Sequence, residues 1–130
     1  MADQEAIQKF AFASDGNASD VANLSVPRYG NSGASSATYG YNCSGKHGSN
    51  GNVIDRFSFA SDSDATDVGD MATTTRGCGG SSSTTYGYRH GGSSPNKNEI
   101  EKWSFASGTQ SGADVGNLAS NKEWLAGTQY

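Results

Sequence analysis

The chain has 130 residues, enough for one domain and too few for two of ordinary size. Its formal charge of −4, with only 17% of residues charged, leaves no basic surface to draw a phosphate backbone, which argues against a nucleic-acid partner. No run of about 18 apolar residues occurs, so no helical membrane span is encoded.

Eighteen glycines beside 33% hydrophobic residues would by themselves suggest disorder. The regular placement of the aromatics argues against it. The opening residues, Met1-Ala2-Asp3-Gln4-Glu5, are acidic and lack the basic and apolar regions of a secretory signal, so synthesis in a cytoplasm is expected. Ile7-Gln8-Lys9-Phe10-Ala11-Phe12 then opens a series. It returns 47 residues on as Ile54-Asp55-Arg56-Phe57-Ser58-Phe59, and a further 46 on as Ile100-Glu101-Lys102-Trp103-Ser104-Phe105. Asp20-Val21-Ala22-Asn23-Leu24 recurs as Asp67-Val68-Gly69-Asp70-Met71 and Asp114-Val115-Gly116-Asn117-Leu118, each 47 residues after the last. Thr38-Tyr39-Gly40-Tyr41 recurs at the same interval as Thr85-Tyr86-Gly87-Tyr88. Three anchors in one register define a repeat, and periods of roughly 20 to 50 residues belong to solenoids, propellers or arrays.

Phe10 and Phe12, Phe57 and Phe59, Tyr39 and Tyr41, and Tyr86 and Tyr88 are each two residues apart, so each pair shares one face of an extended chain. The segments between anchors are rich in Gly, Ser, Thr, Asn and Asp, which disfavour helix interiors. An all-β fold follows. Four short strands per unit are expected: Arg28–Ser32 or Arg76–Gly80, Thr38–Asn42 or Thr85–Arg89, Ile54–Ala60 or Ile100–Ala106, and Asp67–Met71 or Asp114–Leu118. Four strands in about 40 to 50 residues make one propeller blade. Gly40 and Gly87 are expected to bare backbone so that a neighbouring sheet approaches closely. The single repeat domain, 1–130, divides into a partial unit at 7–24, full units at 25–71 and 72–118, and a partial unit at 119–130.

An arginine, a tyrosine strand closed by two glycines (Tyr86-Gly87-Tyr88-Arg89-His90-Gly91-Gly92) and then an aromatic strand resemble a diverged kelch repeat. The run Phe57-Ser58-Phe59-Ala60-Ser61-Asp62-Ser63-Asp64-Ala65-Thr66-Asp67-Val68-Gly69-Asp70 is similar to repeats in tail-fibre and other virion proteins of bacteriophages, especially those of cyanobacteria. The likeness covers nearly the whole chain. It implies a β-propeller of kelch-like blades, a structural role, and a place in a virion. About three blades fall short of the roughly 4 to 8 that close a ring. Self-association is therefore expected, with a dimer closing six blades as the favoured form and a stack of sheets within a larger particle as the other.

For chemistry, Asp15-Gly16-Asn17-Ala18-Ser19-Asp20 and Asp62-Ser63-Asp64-Ala65-Thr66-Asp67 place oxygen ligands at alternate positions, a Ca²⁺-like pattern resembling the first half of an EF-hand loop. The third copy loses most of the acids, so hairpin turns bonding their own backbone are the preferred reading and no metal or cofactor is assigned. His47 and His90 sit in Gly/Ser-rich surroundings without partner ligands and are expected as exposed loop residues. Arg28 and Arg76 are candidates to pair with Asp20, Asp67 or Asp70, or to be solvated. Cys43 and Cys78, unmatched in the repeat, are expected as free thiols. The sequence contains no Gly-x-Ser-x-Gly elbow, His-Glu-x-x-His or phosphate-binding glycine loop with Lys, so catalysis has no candidate residue and a non-enzyme is expected.

Phe10, Phe12, Tyr39, Tyr41, Phe57, Phe59, Tyr86, Tyr88 and Phe105 are expected as core anchors between units. Trp103 and Trp124 are the candidates to face a ligand or partner, Trp124 above all because Glu123-Trp124-Leu125 has no evident counterpart in the repeat. The leading expectation is a phage structural component, with itself, other virion proteins or a host-surface glycan as partners. A carbohydrate-binding propeller is the alternative, and an engineered or excised propeller fragment a third.

Overall fold

A computed structural model describes residues 2–93 and 97–127. Among them the regular structure is entirely strand, because the anchors alternate in and out while Gly, Ser and Asp turns interrupt any longer period. Strands β3 (Ser32–Ser35), β4 (Tyr39–Cys43), β6 (Ser49–Ser58) and β7 (Thr66–Thr75) form one antiparallel meander, with the two-residue β5 (Lys46–His47) folded onto β6. A second meander is made by β8 (Gly79–Ser82), β9 (Tyr86–Gly92), β10 (Lys97–Ser104) and β12 (Ala113–Asn117). Ahead of both, β1 (Gln4–Lys9) pairs, among the described residues, only with β2 (Ser19–Arg28). The 47-residue period survives folding: β2 and β7, β3 and β8, and β4 and β9 each begin 47 residues apart.

The units dock on one another by the same contacts each time. Ala65 N–H donates to Asn23 O at 2.8 Å, and Gly112 N–H to Asp70 O at 2.8 Å. Ser25 N–H donates to an Asp55 carboxylate oxygen at 3.0 Å, and Ala72 N–H to one of Glu101 at 2.9 Å. Gly77 N–H donates to Gly30 O and Trp124 N–H to Gly77 O, both at 2.6 Å. Each couple is offset by 46 or 47 residues, so unit upon unit is one docking geometry used twice. The apolar core lies between the two meanders: Tyr41, Cys43, Ile54 and Met71 pack with Trp103, flanked by Tyr39, Val68 and Phe105.

Two expectations about the strands are corrected. The first strand of each unit begins at Ser32 or Gly79 rather than at Arg28 or Arg76, because Gly30 and Gly77 turn the chain at φ of 67° and 62°, values that only glycine adopts cheaply. Gly40 and Gly87 do not admit a neighbouring sheet. They stand opposite Phe57 and Trp103 within their own sheets, and a Cβ would come within 2.2 and 2.3 Å of those rings. The third unit has one more residue between its aromatic and Asp anchors, and the slack forms β11 (Gln110–Ser111), which lies parallel to β7. Gly69 makes that possible, since a Cβ there would fall 1.8 Å from Gln110 O.

Candidate assembly surface

The sequence-predicted residues separate by burial. Trp103, expected to face a partner, is 1% exposed and takes an edge-on contact from Tyr41 at 6.1 Å. Tyr41 itself stacks on Phe105, centroids 4.8 Å apart at 18°. Burial raises the Tyr41 phenol above its ordinary pKa, with Arg56 opposing. Phe10 and Phe12, expected in the core, are 60% and 96% exposed, and Phe59 is 54% exposed. Phe10 and Phe12 lie just past the end of β1 and meet each other edge to face at 5.3 Å.

Trp124 does have a counterpart. It occupies the place of Gly30 and Gly77 in the period and shares their left-handed backbone at φ 55°, which for tryptophan is strained. Its ring lies back along the glycines, 3.3 Å from where a Gly77 Cβ would stand and 3.6 Å from that of Gly30. The 47-residue count shows the correspondence, although the residue types hide it. Gly33, Gly80 and Gly127 form a parallel column, in which Gly80 and Gly127 stand too close to the preceding glycine's backbone to carry a side chain: a Gly80 Cβ would lie 2.2 Å from Gly33 O, and a Gly127 Cβ 1.5 Å from Gly80 O.

The charged residues take places that the anchors alone did not reveal. Arg28 is buried against Asp55 at 2.8 Å and reaches Asn42, instead of pairing with Asp20, Asp67 or Asp70. Asp55 also accepts from the hydroxyl of Ser25. In the next interface Glu101 stands in Asp55's place, but the cation is Arg89 from β9, and both groups are fully buried. The cation thus comes from the preceding unit for Asp55 and from the adjacent strand of the same sheet for Glu101, which is why no single repeat column betrays it. Arg76 donates to the Tyr29 hydroxyl at 2.9 Å rather than to an acid.

Asp62 pairs with Lys9, Asp64 accepts from Asn23 N–H at 2.8 Å, and Asp67 accepts from its own turn's Gly69 N–H at 3.1 Å. Asp15, Asn17 and Asp20 are exposed. Among the described residues no three acids, histidines or cysteines converge as metal ligands. His47 is exposed with Nδ1 2.8 Å from Asp3, whereas His90 lies on β9, half-buried, its pKa lowered by burial and by Arg89. Cys43 and Cys78 are buried free thiols; burial pushes Cys43 up to about 12 and raises Cys78 as well.

What remains open is an edge and a groove. The outer edge of β1 carries no strand among the described residues. Beside it an apolar groove of about 290 Å³ runs between Ile7, Phe10, Val21 and the Phe57–Phe59 segment, with Lys9 and Asp62 at its rim. A free ladder of N–H and C=O groups next to exposed aromatics suits β-strand addition. No family model and no curated protein matches the chain.

Proposed function

We propose that the chain is a non-enzymatic structural component of a phage virion, a tail fibre or related appendage, which self-assembles through its sheet edges, two copies closing a six-bladed ring. The observation that carries the reading is the reuse of one docking geometry between successive units, beside a β1 edge that has no second strand paired to it among the described residues and an apolar groove along it. Placement in a virion is supported by the likeness of the Phe57–Asp70 run to phage repeats. Mass in solution tests the assembly: light scattering on the purified chain is expected to give twice the 13.4 kDa chain mass. A well-folded monomer at every concentration would end the reading.

A carbohydrate-binding role is favoured by one observation. Trp124 is 57% exposed while its ring is backed by Gly77, which leaves a flat aromatic surface on a fixed support. A glycan array reads this directly, and Trp124→Ala should abolish any binding found.

A further inference from the structure

In both complete units the strand equivalent to β1 is flanked by a Tyr-Gly-Tyr strand, and three contacts seat that strand. Its glycine lies under the aromatic directly opposite, Gly40 under Phe57 and Gly87 under Trp103. Its first tyrosine takes a cation over the ring, Arg56 on Tyr39 at 4.6 Å and Lys102 on Tyr86 at 4.4 Å. In the one interface where the following unit is present, its second tyrosine stacks on an aromatic there, Tyr41 on Phe105 at 4.8 Å.

Counting back by the repeat, the residues equivalent to Phe57, Arg56 and Phe105 are Phe10, Lys9 and Phe59. All three are present and exposed around the groove. Lys9, with no tyrosine beneath it, turns instead to Asp62 across a surface where both side chains are more than half exposed.

We propose that this edge and groove seat an extended strand of the repeat's own Tyr-Gly-Tyr type running antiparallel to β1, supplied by a repeat other than the two complete ones, whose Tyr-Gly-Tyr strands β4 and β9 are each already paired on both sides. The proposal rests on the reading above that sheet edges carry assembly, and gives the chemistry of the strand that fills the β1 edge. The β1 backbone supplies the ladder, which any extended chain satisfies; the side chains supply the choice. Phe10 demands glycine opposite, because a side chain there would meet its ring as it would meet Phe57 or Trp103. Lys9 exchanges a solvated acid for a tyrosine face, and Phe59 gains the stacked partner that Phe105 already has.

The test uses a labelled peptide, Ser-Ala-Thr-Tyr-Gly-Tyr-Asn, the sequence of Ser36–Asn42, titrated with the full chain and followed by fluorescence anisotropy. Saturable binding is expected, weakened about tenfold or more by Gly40→Val within the peptide. Phe10→Ala in the chain, at an exposed site that leaves the fold intact by circular dichroism, should bring the two peptides to within about twofold of each other. Absence of saturation, or equal binding of both peptides by the unsubstituted chain, overturns the proposal. Sedimentation alongside separates the two readings. An assembly that persists while the peptide fails to bind removes this seat and leaves self-assembly standing; a monomer that selects the glycine peptide supports the seat and removes self-assembly.

Discussion

Replacing Glu101 by alanine takes away the acceptor on which three donors converge between the second and third units. Ala72 N–H, Thr73 Oγ1 and the Arg89 guanidinium all point at it, and the ion pair is fully buried. Arg89 keeps bonds to Gly91 O and Thr73, but neither neutralises its charge. Stranding a buried charge in this way costs about 3–5 kcal/mol. A domain of this size has about 5–15 kcal/mol in all, so the midpoint of unfolding should fall by about a fifth or more. Gln8 occupies the same repeat position in the first unit and is exposed, so Gln8→Ala should change stability by less than about 0.5 kcal/mol. Removing both charges with Arg89→Met and Glu101→Met should restore much of the loss, since a buried pair itself contributes little net stability. Urea titration followed by Trp103 fluorescence, in a Trp124→Phe background, measures all four chains. A Glu101→Ala cost under about 1 kcal/mol, or one equal to that of Gln8→Ala, would refute the reading of Glu101 as a buried, charge-paired acceptor.

Gly87→Ala should lose about 1–3 kcal/mol by driving a methyl into the Trp103 ring, while Gly16→Ala, with open space around it, should be neutral or gain up to about 1 kcal/mol; thermal melts compare them. Cys43, pushed up to about 12 by burial, holds its proton after the unfolded thiol has lost it, so stability should be level below about pH 8.5 and fall as pH rises toward 12. Denaturant midpoints at pH 7, 9 and 10 read the sign, and a rise would contradict it. Native Cys43 and Cys78 should resist a thiol reagent at pH 8 and react once the chain is unfolded. Acrylamide should quench half of a mixed tryptophan emission and leave the other half intact, with Trp124→Phe removing the quenched part, because Trp124 is 57% exposed and Trp103 1%.

The repeat register was legible because side-chain alternation is local: Tyr39 and Tyr41, or Phe57 and Phe59, share a face whatever the rest of the chain does. Strand limits were less so. Arg28 and Arg76 looked like strand openings, yet Gly30 and Gly77 two and one residues later turn the chain by positive φ, a property that composition suggests only as "glycine" and not as a bend. The candidate site suffered in the same way. Phe10 and Phe12 read as core because they share the repeat spacing of Phe57 and Phe59, although burial depends on which sheet lies against a residue rather than on its type.

The amino-acid sequence by itself determined the period and the all-β class, since these follow from spacing along one chain; that Gly40 and Gly87 lie under Phe57 and Trp103 depended on cross-strand register. The tertiary structure alone decided which copies of a motif are buried and which stand open. Asp55, Glu101 and Gln8 share a position, as do Gly30, Gly77 and Trp124, and their fates diverge because burial is conferred by the neighbouring unit. The same physics makes β1 an edge and β6 and β10 interior strands: an identical pattern is satisfied inside a stack and left unsatisfied at its end.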